Sequence, residues 1–93
     1  MTDVLANLTA FQRDVLWVLS NEGALKGVAI RRVLVDYYGD DVTHSQVYPN
    51  LDALVDLGLV EKAARDRRTN EYSLTEEGRR ALQRRQAWIG GDV

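Results

Sequence analysis

The stretch THSQVYPNLDALVDLGLVEKAARDRRTNEYSL, from Thr43 to Leu74, changes its periodicity in the middle and thereby decides the fold. Its first half repeats apolar residues at helical spacing. The residues expected to face the core are Val47, Leu51, Leu54 and Val55. Residues 59–64 and 71–74 instead alternate as two strands around the polar turn RDRRTN. The stretch therefore predicts a helix followed by a β-hairpin with a basic tip.

Pro49 lies inside this predicted helix, where a proline loses a hydrogen bond and clashes with the carbonyl group four residues earlier. Two helix starts are open. If Ser45 is the N-cap, Pro49 lies near the first turn, where the missing donor costs least. If Thr43 is the N-cap, with Gln46 closing a capping box, Pro49 lies deeper and should kink the helix.

Helical patterns also flank this stretch on both sides. We expect a first helix over residues 10–21, a second over 28–38, and a last helix that follows a Thr75 cap and ends at Gly90 and Gly91. In the second helix, the residues expected to pack inward are Val33, Leu34 and Tyr37. Three helices, a hairpin and a helix form the order of a winged helix-turn-helix domain, a mainly α fold with a small β-hairpin as its wing.

The composition favours one small globular domain over residues 1–93. The chain has no cysteine and a single histidine, His44, so we expect no cofactor and no metal site. It also lacks an apolar run of membrane-spanning length and a signal-peptide pattern. These features predict a cytoplasmic protein that does not bind membranes. The net charge of −2 argues against indiscriminate binding to polyanions, although a local basic patch can still bind nucleic acid.

Arginine far outnumbers lysine, and aspartate outnumbers glutamate. Such usage fits a high-salt cytoplasm, as in a halophilic archaeon. A GC-rich genome that favours arginine and aspartate codons explains it equally well.

Polar side chains on the third helix, opposite its apolar stripe, are the first candidate DNA contacts. Glutamine and asparagine pair bidentately with adenine, and serine bonds to base edges or phosphate. The candidates in this segment are Thr43, His44, Ser45, Gln46, Tyr48, Pro49 and Asn50. The alternative is an ordinary solvated helix face.

The hairpin tip is the second candidate, because it places Arg65, Arg67 and Arg68 on one tight turn. Arginine is favoured for phosphate contacts and for insertion into a narrow minor groove. Thr69 in the same turn and Arg31 on the second helix complete the predicted DNA-binding set. A charged cluster that is merely a solvated loop is the alternative.

Three segments resemble the PadR family of winged-helix transcriptional regulators. They are SQVYPNLDALVDLGLVEK (45–62), RRTNEY (67–72) and YSLTEEGRRAL (72–82), within a resemblance that covers about residues 8–88. The Tyr-Pro pair is the most specific of these features, whereas the last segment and the arginine-rich wing are also similar to MarR-like regulators. The resemblance implies a dimeric DNA-binding regulator whose third helix and wing contact an operator.

We therefore expect a sequence-specific DNA-binding transcriptional regulator that binds operator DNA as a homodimer. The chain shows no nucleophile-base constellation, metal-ligand spacing or glycine-rich phosphate loop, which argues against an enzyme. The alternative function is a winged-helix protein-interaction module without specific DNA binding.

The terminal segments, about 1–22 and 75–91, are expected to build the dimer interface, because the other exposed elements are committed to DNA. The residues predicted there are Val4, Leu5, Trp17, Trp88 and Ile89. Aromatic anchors of this kind are enriched at subunit contacts. The alternative is that Trp88 folds back onto its own first helix.

Overall fold

The computed structural model describes residues 3–90, which form four helices and three short strands. The helices are α1 (Ala10–Glu22), α2 (Gly27–Tyr38), α3 (His44–Asp56) and α4 (Glu76–Gly90), and a 3-10 turn, Val4–Asn7, precedes α1. The strands are β1 (Leu25–Lys26), β2 (Val60–Ala64) and β3 (Asn70–Leu74). The predicted mainly α fold of winged helix-turn-helix type is thus confirmed. Gly91, expected to help end the last helix, lies outside the described residues, as do the outermost residues of the predicted dimerisation segments.

The sheet contains one strand more than the predicted hairpin. Its order is β1-β3-β2, and both pairings are antiparallel. In the hairpin, Val60 pairs with Leu74 and Ala64 with Asn70, while Leu25 of β1 pairs with Tyr72. Two residues are too few to give an alternating pattern, so the sequence predicted only a plain link between helices at β1. The pairing of β1 attaches the start of α2 to the wing.

The core lies between the three N-terminal helices, the sheet and the first half of α4. Its buried apolar side chains are Leu5, Leu8, Val15, Leu16, Leu19, Ile30, Leu34, Val42, Val47, Leu51, Leu54, Leu59, Val60, Tyr72, Ala81 and Leu82. Leu5, a residue predicted at the dimer interface, is only 1% exposed. The 3-10 turn folds it into the chain's own core, because Arg13 donates hydrogen bonds to the carbonyls of Leu5 (3.1 Å) and Leu8 (2.8 Å).

The second helix departs from expectation at its C-terminal end. Leu34 is buried and Val33 is half-buried, but Tyr37 is 81% exposed, so its predicted inward packing is wrong. The apolar stripe of α2 continues past the edge of the core, where residues 37–41 are all exposed. Tyr37 packs edge-on against Tyr38, with ring centroids 5.2 Å apart. The hydroxyl of Tyr38 donates a hydrogen bond to Asp14, and this bond raises the pKa of Tyr38 to about 12.

The last helix starts at a tight junction with the end of α3. Thr75 Oγ1 accepts a hydrogen bond from the Gly78 N–H (3.0 Å) and donates one to the Gly58 carbonyl (2.7 Å). The backbones approach so closely that a Cβ on Gly78 would lie 2.3 Å from the Leu59 carbonyl oxygen. Because that neighbour is backbone, it has little freedom to move aside.

We expect Gly78→Ala to destabilise the fold for this reason. An added methyl group in a packed site costs about 1–3 kcal/mol, more than the roughly 1 kcal/mol that alanine gains in a helix. Urea denaturation followed by circular dichroism measures the difference. Gly90→Ala is the matched control, because a Cβ there meets nothing within 4 Å. Equal stability of the two variants would contradict the close-packing argument.

Candidate nucleic-acid interface

Thr43 is the N-cap of the third helix, so the alternative N-cap, Ser45, is wrong. Thr43 Oγ1 accepts a hydrogen bond from the Gln46 N–H (3.1 Å), which is the first half of a capping box. Pro49 is therefore the sixth residue of α3, and the carbonyl group left without its helical partner is that of Ser45. The helix continues through Pro49 to Asp56.

The first turns of α3 present a polar, exposed surface. Five of the predicted contact residues are exposed, namely Thr43, His44, Ser45, Gln46 and Pro49. The imidazole of His44 lies nearly parallel to the ring of Tyr48, with centroids 6.0 Å apart and planes inclined by 12°. The opposite face anchors the helix, because Val47, Leu51 and Leu54 are fully buried. The hydrogen-bonding side chains are thus fixed in place by the core beneath them.

Asn50 is engaged inside the protein. Its Nδ2 donates to the Gln46 carbonyl (2.7 Å), and its Oδ1 accepts a hydrogen bond from Gln12 Nε2 (3.0 Å). Gln12 Oε1 in turn accepts the backbone N–H of Thr9, which completes the capping box of α1. The carboxamide of Asn50 therefore ties α3 to the start of α1. Sequence reasoning missed this contact, because the two partners lie 38 positions apart.

Tyr48 packs on α2 at a position where only glycine leaves room. A Cβ on Gly27 would lie within 2.4 Å of Cε1 of the Tyr48 ring. The ring is half-buried in this contact. The Tyr-Pro pair thus combines a packing residue with an exposed proline. The sequence did not single out Gly27, which looks like an ordinary link before a helix.

Two predicted arginines bond within the chain. Arg31 Nε donates to the Val42 carbonyl (2.8 Å), so this half-buried side chain braces the loop that leads into α3. Arg65 Nη1 lies 2.5 Å from Glu71 Oε2 on the neighbouring strand. Both cations remain near the interface, but each already has a partner.

Arg67 and Arg68 are the available charges of the wing. Both are exposed, and within residues 3–90 neither forms an ion pair. The turn is held by one backbone bond, from the Arg65 N–H to the Thr69 carbonyl (2.8 Å), and by one bond from the Arg68 N–H to the Asp66 carboxylate at Oδ1 (3.0 Å). The second bond holds the pKa of Asp66 below its usual value. The wing thus offers two guanidinium groups on a braced turn.

A cavity of about 270 Å³ separates the wing from the start of α2. The residues that line it are Lys26, Gly27, Val28, Tyr48, Arg68, Thr69, Asn70 and Tyr72. It brings predicted contact residues of α3 and of the wing to one place. Lys26 and Tyr72 were not among the predicted site residues, because neither stands out in the sequence pattern.

The predicted interface residues divide into two groups. Trp88 is 75% and Ile89 57% exposed, and the Arg85 guanidinium lies 5.0 Å from the centre of the Trp88 ring. Val4 and Trp17 are partly buried against the core of their own chain. Among the predicted interface residues, only the two at the end of α4 are therefore mostly exposed.

The geometry agrees with the similarity of the chain to known proteins. Residues 15–84 match the family described as the transcriptional regulator PadR-like family. Among curated proteins, none matches the chain. Among the helices of residues 3–90, none combines the length and apolarity that crossing a bilayer requires.

The solved structures that resemble the chain are also regulators. The complex structure of hsRosR-S1, from H. salinarum, is 52% identical in sequence. Its TM-score is 0.87, and the match covers 90% of this chain and 74% of that one. The structure of H. salinarum RosR grown from NaBr is also 52% identical in sequence. Its TM-score is 0.86, and the match covers 91% of this chain and 76% of that one. A mutant MarR from E. coli complexed with operator DNA is 26% identical in sequence. Its TM-score is 0.78, and the match covers 94% of this chain and 59% of that one. The chain belongs to the PadR-like family of transcriptional regulators.

Proposed function

We propose that this chain regulates transcription by binding operator DNA as a homodimer, with α3 in the major groove and the wing beside it. The supporting observation is that Tyr48, on the helix that carries the exposed polar residues, lines one cavity together with Arg68 and Thr69 of the wing. The MarR structure with operator DNA, similar in fold, supports the same arrangement.

The contact residues differ in what each can do. Ser45 and Gln46 carry exposed groups that fit base edges, and Gln46 suits bidentate pairing with adenine. Thr43, His44 and Pro49 lie around them and fit backbone contacts. Arg67 and Arg68, beside Thr69, fit phosphate or the minor groove. The remaining predicted residues support this surface from within the protein. Tyr48, Asn50, Arg31 and Arg65 hold the contact surface in shape through the bonds and packing described above.

The local distribution of charge favours DNA binding at this surface, although the chain as a whole is acidic. The net charge is −2, which supports the alternative function, a protein-interaction module without specific DNA binding. The exposed acids of α3, Asp52 and Asp56, lie in its second half, away from the polar first turns. A local basic patch on an acidic protein binds DNA selectively at the patch, because phosphate contacts are short-range in salt.

The family supports a regulator that performs no covalent chemistry. Such a regulator acts where the DNA is, which we take to be the cytoplasm. The similarity to RosR of H. salinarum favours the high-salt explanation of the arginine and aspartate usage over the codon explanation.

The homodimer is supported by the end of α4. Trp88 and Ile89 are exposed next to a groove lined by Arg13, Arg84 and Leu5, among others. Arg84 Nε bonds Asp3 Oδ2 at 2.7 Å, which fixes the N-terminal segment along one side of this groove. An apolar aromatic anchor beside a preformed groove is typical of a subunit contact. A symmetric dimer also matches the two half-sites of a palindromic operator.

Replacing Arg67 and Arg68 together by alanine tests the DNA-binding function. We expect weaker binding to most duplexes alike and a salt slope reduced by about one unit for each phosphate that the variant no longer neutralises. Fluorescence anisotropy at several salt concentrations measures both quantities. Arg79→Ala is the control, because Arg79 lies on α4 beside Glu76. A folded double variant with wild-type affinity and slope would contradict the assignment of the wing as a DNA contact, whereas a wild-type protein that binds no duplex would favour the protein-interaction module.

Gln46→Ala tests base recognition. We expect it to cost about 1–3 kcal/mol on the selected operator and much less on random DNA, since only the operator places adenine opposite the carboxamide. Asn50→Ala provides the contrast, because it breaks internal bonds and should mainly lower the free energy of unfolding. Equal effects of Gln46→Ala on both DNAs would mean that Gln46 contacts only the backbone.

Trp88→Glu tests the dimer. A charge placed in a subunit contact opposes association, so we expect a monomer with unchanged helical content. Analytical sedimentation gives the mass, and circular dichroism gives the helicity. Gln86→Glu, also exposed on α4, is the matched control for the added charge. A Trp88→Glu variant that stays dimeric would place the interface elsewhere.

A further inference from the structure

An open groove between α1 and α2 exposes aromatic side chains that the proposed DNA interface does not use. Its volume is about 320 Å³, and Asp14, Trp17, Tyr37 and Tyr38 line it together with smaller apolar residues such as Val33. We call it the aromatic groove. Tyr37 is 81% and Tyr38 40% exposed. Exposed aromatic residues that cluster in this way are typical of interaction surfaces.

A carboxylate lies among these rings. Asp14 Oδ2 accepts a hydrogen bond from the Tyr38 hydroxyl, and the Tyr38 ring also packs against Phe11, with centroids 5.6 Å apart. Among residues 3–90, Asp14 forms no ion pair, and its side chain accepts only this one hydrogen bond, through Oδ2. The contact with Tyr38 therefore orients the carboxylate and leaves its other oxygen, Oδ1, to accept from a ligand.

The two segments that form the aromatic groove are acidic throughout. Residues 14–23 and 33–43 contain no lysine or arginine. Their charged residues are Asp14, Glu22, Asp36, Asp40 and Asp41. All of these except the half-buried Asp14 are exposed. The acids at the ends of both helices thus add to the negative charge of the carboxylate in the groove.

The arginines that flank these segments face elsewhere. Arg13 donates two hydrogen bonds to backbone carbonyls of the N-terminal segment. Arg32 lines a different groove, together with His44 at the start of α3. The two grooves involve different residues of α2, which by helical spacing lie on different sides of that helix. The aromatic groove therefore keeps its negative charge and lies apart from the first turn of α3.

A carboxylate beside exposed aromatic rings matches the chemistry of arginine. A guanidinium group is planar, always charged and weakly hydrated, and it both stacks on aromatic rings and donates to carboxylates. A free small cation would leave much of Tyr37 uncovered, because that ring is 81% exposed. A peptide segment that carries the arginine can cover Tyr37 as well, which adds the burial of apolar surface.

We propose that the aromatic groove binds an arginine-bearing segment of a partner protein, with the guanidinium group against Asp14 and the neighbouring rings. The proposal commits to a different protein, since the exposed end of α4 already offers a surface for a second copy of the chain. Because the groove lies apart from α3, the segment can bind while DNA is bound. The inference goes beyond the proposed function and does not depend on it.

A peptide titration of the whole chain tests this chemistry. The probe is a capped peptide with one arginine between two leucines, and nuclear magnetic resonance of the isotope-labelled protein follows its binding. We expect saturable shifts at residues of the aromatic groove, including the indole signal of Trp17. The same peptide with citrulline keeps the shape of arginine but is neutral. It should bind about tenfold more weakly, because it loses both the ion pair and the cation–π contact.

Two variants locate the binding site. Asp14→Asn keeps the shape of the side chain but removes its charge, and Tyr37→Leu keeps apolar bulk but removes the ring. We expect each to weaken binding of the arginine peptide about two- to fivefold, since exposed contacts of either kind are weak. Asp56→Asn, which removes an exposed acid on α3, is the control and should bind like the wild type. Thermal unfolding verifies that the variants remain folded.

Four results would overturn the inference. One is equal affinity of the wild type for the arginine and citrulline peptides, and another is a set of shifts centred outside the aromatic groove. Guanidinium chloride that binds the groove as tightly as the peptide would assign it to a free cation. A loss of mass on sedimentation of Tyr37→Leu would make a second copy the occupant, as the sequence predicted for Trp17. No arm involves DNA, so failure of the proposed function would leave these outcomes unchanged.

Discussion

The packing of Tyr48 against Gly27 joins the third helix to the start of the second helix. Because the ring occupies the space that a Cβ at position 27 would fill, a larger residue there would require the Tyr48 ring to shift. The same start of α2 is joined through β1 to the sheet. The Tyr48 ring thus lies where the third helix, the start of the second helix and the wing come together. The hydrogen bond from Gln12 to Asn50 adds a second attachment, to α1.

Much of the fold was predictable, because it follows from periodicity. The stripes of α1 and α3 and the alternation of β2 and β3 identified these elements within a residue or two of their observed ends. The failures occurred where periodicity carries no information. Strand β1 is too short, and Tyr37 continues a stripe beyond the core. Periodicity also did not determine the start of α3. Tertiary contacts decide which of the two capping residues lies at the end of that helix.

The candidate site was only partly predictable. Residue type and position correctly indicated that Gln46, Arg67 and Arg68 lie at the surface. The same argument also selected Arg31, Arg65 and Asn50, whose side chains bond within the chain. Their partners are set by the folded backbone, so composition does not distinguish them from free groups. Conversely, Tyr72 looked like an ordinary strand residue, although it lines the cavity beside the wing.

The central position of β3 in the sheet has a consequence for the entropy of binding. A wing built from two strands alone would be flexible relative to the rest of the domain. A partner that ordered it would lose binding free energy to the reduced conformational entropy of the wing. Here β3 is held on both edges, by β2 and by β1, which leads directly into α2. The turn between Arg65 and Thr69 lies beyond the paired residues of the sheet. A partner of the wing would therefore meet a sheet that is already ordered, and mainly the side chains of the turn would have to be immobilised upon association.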